Sequence, residues 1–325
     1  MFFDKVEFLE SGKYDVVILD DLHHKLFKVL THNKKCITIP IRNKIPLIFN
    51  LFFFIKLFLF FCLNKFIFKK LRENYLIFLF SYIKTKKVFT FYENTIRISN
   101  LKKKFPEIKF YTFINGTRVP NYKYKHDNYI SWGKIDEEMD NSNKKYLSNR
   151  YYDLGSLRLL NYYQYKKKYK KNIDILYVSG FSTILKKQNK NIFSIFNVIK
   201  NNELLVLKNL SALKKKYNLK IKILMKNEIS SVDFDKELSY FKIFFNVNEI
   251  LFKKKSTDSY KLIEKSKITL SLVSALGLEA LSLNTKVLLG FSMLKKKKEL
   301  KFWNSLNFYC KYLNPEICMT NITNK

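Results

Sequence analysis

Glycine occurs seven times and proline five times in this 325-residue chain, and the four cysteines, Cys36, Cys62, Cys310 and Cys318, stand far apart. There is no C-x-x-C pair and no histidine at ligand spacing from a cysteine, which argues against a structural zinc and against a disulfide framework. No bound metal and no cofactor are expected. The Walker loop, G-x-G-x-x-G, H-E-x-x-H and G-x-S-x-G are all missing, so the common phosphate-loop, dinucleotide, zinc-protease and serine-hydrolase signatures drop out. His23, His24, His32 and His126 lack partners at telling spacing, and solvated or helix-surface roles suffice for them. The start carries Asp4, Glu7 and Glu10 where a secretory signal needs basic residues and an apolar run, so the expected location is the cytoplasm.

Hydrophobic residues make up 47% of the chain, enough for a substantial core, and the length suits two α/β domains or one large one. A formal charge of +34 raises nucleic acid as a partner. Against it, the lysine runs at 102–104, 166–168, 214–216, 253–255 and 295–298 are spread along the whole chain, none within a nucleic-acid motif. Heavy use of Lys, Asn, Ile, Phe and Tyr with little Gly, Pro and Ala is the bias that AT-rich coding imposes on any protein. No nucleic acid is expected, and an anionic membrane surface, the inner leaflet, is the better partner for the remaining charge.

Residues 47–63, LIFNLFFFIKLFLFFCL, are almost wholly apolar. A membrane span needs about 20 apolar residues and a central lysine costs roughly 2.5–3.5 kcal/mol, so Lys56 disfavours a full span. Two readings stay open: a buried helix of the first domain, or a helix in the membrane interface with Lys44, Lys56, Lys65, Lys69 and Lys70 meeting lipid phosphates.

Short β-rich runs alternate with longer helix-like runs, the pattern of βα units that build parallel sheets. Strands are expected at 15–19, 36–41, 88–92, 108–113 and 129–132, then at 173–178, 219–225, 249–252, 268–273 and 286–289. Helices are expected at 22–30, 75–83, 193–217, 258–265 and 276–283. The implied architecture is α/β, two Rossmann-like domains at 1–165 and 166–325 facing a cleft. Ligands of such sheets bind beyond the carboxyl ends of the strands. Gly116, Gly133, Gly180, Gly277 and Gly290 fall at or just after proposed strands and Gly155 opens a helix-like run, positions where positive φ or close ligand approach would require glycine.

The strongest local signal is SLVSALGLEAL at 271–281, a strand running straight into a helix whose first turn holds Ser274, Ala275, Leu276 and Gly277. Free N–H groups at such a start suit nucleotide phosphates, with Glu279 placed for ribose hydroxyls. A plain helix capped by Ser274 fits equally well. Ser179 and Gly180 follow one strand and Lys226 another. Lys226 could neutralise a diphosphate or be one more solvated lysine. In the first half, Asp20 and Asp21 end a strand and could act as a base or cap the next helix. Asn115-Gly116 is a turn signal, and Arg118 reads as a surface arginine.

The run 274–281 followed by TKVLLGF at 285–291 resembles the donor-binding end of GT-B glycosyltransferases and of the related epimerase-like and glycerophosphotransferase-like proteins. YENT at 92–95, FPEIKF at 105–110, INGTR at 114–118, 127–133 and GSLR at 155–158 are similar to bacterial surface carbohydrate or O-antigen biosynthesis proteins, with Ile114 where that family's pattern has Gln. The resemblance spans about 88–291. It implies a GT-B-like, metal-independent glycosyltransferase of surface polysaccharide. A nucleotide-sugar donor would be held by Ser274–Gly277, Glu279, Ser179, Gly180 and Lys226, and a glycan or lipid-linked acceptor by Asn115, Gly116 and Arg118. Glu93, Asp20 or Asp21 would serve as the base. Glycerophosphate transfer, nucleotide-sugar epimerisation, and a non-catalytic basic membrane- or nucleic-acid-binding protein are the alternatives.

Overall fold

The computed structural model describes residues 5–20, 24–41, 44–48, 51–64, 71–93, 96–116, 124–143, 146–164, 168–180, 190–253, 258–272, 274–283 and 285–289. The chain divides into two compact units, with the break between Asn161 and Tyr162.

The first unit begins with β1 (Lys5–Leu9), β2 (Gly12–Tyr14), β3 (Val16–Ile18), β4 (Cys36–Thr38) and β5 (Lys44–Ile48), then α1 (Leu51–Asn64) and α2 (Leu71–Phe80). It continues through β6 (Ile83–Thr85), β7 (Lys87–Thr90), α3 (Ile96–Lys104), β8 (Lys109–Phe113), β9 (Tyr124–Ser131), α4 (Lys134–Asn143) and β10 (Tyr146–Asp153) to α5 (Leu157–Tyr163), which carries the break. Six strands form one sheet in the order β10-β9-β8-β7-β3-β4, parallel throughout. In chain order this is 2-1-3-4-5-6 read from β4, a flavodoxin-like winding that reverses between β3 and β7. Two smaller parallel pairs, β1 with β5 and β2 with β6, accompany it.

Both faces of this sheet are covered, which is why β3 reads as an unbroken apolar run. Val16 and Ile18 pack with Phe27, Phe89, Phe91 and Phe113 on one face. Val17 and Leu19 pack with Val88, Phe110 and residues of α2 and α3 on the other.

The second unit contains β11 (Ile173–Val178), α6 (Lys190–Tyr217), β12 (Ile221–Leu224), α7 (Phe234–Lys242), β13 (Ile250–Leu251), α8 (Asp258–Glu264), β14 (Ser266–Ser271), α9 (Ala275–Glu279) and β15 (Lys286–Leu289). Its sheet runs β13-β12-β11-β14-β15, again parallel throughout. That is 3-2-1-4-5 in chain order, the Rossmann winding, with its reversal between β11 and β14. Both units are therefore Rossmann-like, and each has one switch point.

Some local expectations give way. The apolar run 47–63 is not one helix: Leu47 and Ile48 pair with Phe8 and Leu9 of β1, and α1 starts at Leu51. Pro46 is tolerated because β5 belongs to a two-stranded pair. The helix expected at 276–283 is α9, five residues long, followed by a 3-10 turn. His126 is buried in β9 against the Tyr129 ring, 5.2 Å between centroids, and is not solvated.

Candidate functional site

Each switch point gathers residues singled out in the sequence. In the first unit, β3 leads into Leu19 and Asp20, and β7 into Phe91, Tyr92 and Glu93. The two strand ends are tied together: the Leu19 amide donates to the Phe89 carbonyl at 2.8 Å, and the Thr90 hydroxyl donates to the Leu19 carbonyl at 2.8 Å. Asp20 and Glu93, both buried, thus flank one reversal point. Asp21 and Arg118 lie outside the described residues.

Glu93 is held firmly. Its Oε1 accepts the Asn115 amide at 2.9 Å and its Oε2 accepts the Tyr129 hydroxyl at 2.7 Å. The Asn115 side chain in turn accepts from the Arg158 guanidinium, whose other nitrogen reaches the Asn115 carbonyl at 3.4 Å. Arg158 also lies over the Phe91 ring, 5.9 Å from its centre. Sequence reasoning gave no role to Arg158 or Tyr129, yet they fix the Glu93–Asn115 loop, with Gly116 half-buried beside it. Gly155, which precedes α5, has φ +79, a left-handed conformation that glycine adopts at no steric cost.

In the second unit the loop leaving β11 is anchored by two buried carboxylates. Glu237 of α7 accepts the Ser179 hydroxyl at 2.6 Å and the Lys226 amide at 2.9 Å through one oxygen. Its other oxygen accepts the Asn227 amide and the Asn227 side chain, each at 2.8 Å. Glu203 of α6 accepts the Tyr177 hydroxyl at 2.6 Å and the Gly180 backbone N–H. Burial pushes the Glu203 carboxyl up to about 7, and the nearby Glu237 charge adds to this. The raised value favours the neutral carboxyl, which limits the negative charge gathered beside Glu237. Ser179 and the Lys226 backbone consequently serve the loops after β11 and β12 directly, while the Lys226 side chain is exposed.

Beyond β14, Ser274 caps α9, its hydroxyl accepting the Leu276 amide at 3.3 Å, and Ser271 accepts the Ser274 amide at 3.3 Å. The cap is real, but α9 is too short for its dipole to hold an anion strongly. Gly277 lies in the first turn of α9, where the sequence puts it, and a Cβ there would collide with the Ser271 side chain, 2.6 Å from its Oγ. The glycine permits helix and strand to touch. Glu279 is buried and accepts the Tyr260 hydroxyl at 2.8 Å, so it is part of the packing as well as a candidate ribose ligand. Among the described residues no cluster of His, Cys, Asp and Glu could hold a metal ion.

Glu237 and Glu203 carried a signal that went unread. Each is an acidic residue within an apolar helical stripe, 234/237/238/241 in α7 and 203/206/207/210 in α6. A carboxylate placed there must be buried and therefore hydrogen-bonded.

With two switch-point sites in place, comparison with known families identifies the chain. Residues 122–310, more than half of it, match a family described as "putative O-antigen biosynthesis protein", and the chain belongs to that family. No curated protein matches the sequence. Among solved structures, the UDP-GlcNAc 2-epimerase of Neisseria meningitidis bound to UDP-GlcNAc is similar at 12% identity, with 96% of this chain and 92% of that one covered and a TM-score of 0.44. A glycosyltransferase from Rickettsia africae is similar at 14% identity, 93% and 89% coverage and a TM-score of 0.38. The wall teichoic acid polymerase TagF is similar at 11% identity, 82% and 67% coverage and a TM-score of 0.39. The fold assignment itself rests on the strand orders.

Proposed function

We propose that this protein is a GT-B-type glycosyltransferase that builds bacterial surface polysaccharide from a nucleotide-activated sugar. Its membership of the O-antigen family supplies the biological setting. The observation that supports the reading is that Asp20 and Glu93 follow the two strands that flank the reversal of the first sheet, and Ser179 and Ser274 the two that flank the reversal of the second. Such points are where α/β sheets bind ligands.

In this reading the second unit takes the donor. The Lys226 ammonium meets the diphosphate beside the chain leaving β11 and β14, and Glu279 or its neighbours meet the ribose. The first unit takes the glycan or lipid-linked acceptor, its hydroxyl directed by Asn115 and Gly116; Arg118, which follows them in the sequence, would take an anionic group. The bond from the anomeric carbon to the donor phosphate oxygen breaks, and the nucleoside diphosphate leaves with the electron pair. A bond from that carbon to the acceptor oxygen forms, and the acceptor proton passes to one carboxylate, Asp20 or Glu93. Lys226 stabilises the departing diphosphate.

The test incubates the full-length protein with UDP-, GDP- and CDP-activated donors and short glycans, with mass analysis of the products. A glycan longer by one sugar is the expected product. Asp20→Asn or Glu93→Gln should lower its rate of formation by about 100-fold or more, the range of acid–base contributions. Release of CMP with glycerol phosphate transfer, a free epimerised sugar nucleotide, or no turnover of any donor would each contradict the reading.

A further inference from the structure

We propose that α1 is a membrane-docking element that lies flat in the headgroup region of an anionic bilayer. One side of α1 packs on its own unit. Phe53 is fully buried, its ring 5.3 Å from that of Phe78 and 5.2 Å from that of Tyr82. Phe60, two turns further on, stacks on Phe78 at 5.1 Å. Contact along two turns fixes the helix axis along the surface. The single charge of the helix is turned toward this side: Lys56 Nζ lies 5.6 Å from the centre of the Tyr82 ring.

The opposite side is an apolar stripe in the open. Positions 51, 55, 58 and 62, with 52 and 59 beside them, follow helical spacing, and Leu51, Phe52 and Phe58 are 73%, 71% and 69% exposed. Single exposed apolar side chains are common on any protein, but a contiguous stripe of this kind marks an interaction surface. The helix has 14 residues, a length of about 21 Å at 1.5 Å per residue, short of the roughly 30 Å hydrocarbon core. No helix among the described residues is long and apolar enough to cross a membrane.

Charge selects the occupant. Between Asp21 and Glu73 the chain has eleven Lys and Arg residues and no acidic one. A second copy docking face to face would oppose this positive charge to itself, whereas anionic lipid neutralises it while the apolar stripe enters the acyl boundary. The inference stands on α1 alone and does not depend on the chemistry proposed above.

The test is sedimentation of the full chain with vesicles of phosphatidylcholine and phosphatidylglycerol at 3:1, against phosphatidylcholine alone. Binding is expected only to the mixed vesicles, weakening as salt rises. Changing Phe52, Ile55 and Phe58 together to Gln should reduce it by about tenfold or more with an unaltered thermal midpoint, because the buried side of the helix is intact. Changing Lys65, Lys69 and Lys70 to Gln should remove the preference for phosphatidylglycerol. Four outcomes would overturn the proposal: equal binding to neutral vesicles, a folded triple variant that sediments like the wild type, loss of self-association in place of vesicle binding, or a triple variant that unfolds.

Discussion

Gly277→Ala should destabilise the second unit by about 3 kcal/mol or more, although alanine is the better helix former. In an open helical site the same change stabilises by up to about 1 kcal/mol. The sign reverses here because the new methyl would sit 2.6 Å from Ser271 Oγ, so α9 must move off β14 or the Ser271 side chain must leave its place. Ser271 also holds the Ser274 amide, so the disturbance reaches the start of α9. Thermal unfolding of the variant checks this, with a midpoint lowered by roughly 10 °C. Adding Ser271→Gly, which removes the colliding atoms, should restore much of the loss. A Gly277→Ala protein as stable as the wild type would mean that helix and strand do not touch there.

Glu237→Ala should be comparably severe, costing about 3–5 kcal/mol, the usual penalty for breaking a buried, charge-assisted network. Four donors, from Ser179, Lys226 and twice from Asn227, would lose their acceptor in a site where Glu237 is fully buried. Glu237→Gln keeps the shape but sets an NH2 group against donors, and should recover only part of the loss. Burial pushes the Glu203 carboxyl from the ordinary carboxylate range up to about 7, so its contribution to stability is fully present below the ordinary range and is lost as pH rises through about 7. Glu203→Gln, permanently neutral, should flatten the pH dependence of unfolding across that window. Urea titrations of both variants between pH 4 and pH 8 read these effects, and a Glu237→Ala protein of wild-type stability would remove the carboxylate from its place at the centre of the loops.

These two carboxylates show where the sequence stopped being legible. The central strand Ile173–Val178 was readable because a strand covered on both faces must be apolar, and the edge strand Lys286–Leu289 because its short apolar run follows a turn; both emerge with their expected ends. Strand β10, YLSNRYYD at the sheet edge, and the polar first half of β9 carry no such run and were not anticipated. Strands β2 and β6, three residues each, are too short to leave a periodic signal. The candidate site was visible as residue types after strands, since Asp20, Glu93, Ser179 and Ser274 all follow strand ends. Its supports were not, because Arg158, Tyr129 and Glu237 reach it from helices or a neighbouring strand distant in sequence. Helix α1 shows the same limit: composition marked it as apolar, but only packing reveals that Phe53 and Phe60 face inward while Phe52 and Phe58 face out.

Calorimetric titration of the full-length protein with UDP, GDP, CDP and their monophosphates shows whether the β11–β14 switch point binds the diphosphate of a nucleotide donor. One diphosphate should bind more tightly than its monophosphate and raise stability by about 2.7 kcal/mol at a hundred times its Kd. Lys226→Ala should weaken that binding by about tenfold while leaving stability unchanged, since the Lys226 contact with Glu237 is made by the backbone. No heat and no stabilisation with any nucleotide, or a Lys226→Ala protein of unchanged affinity for the diphosphate, would contradict the account.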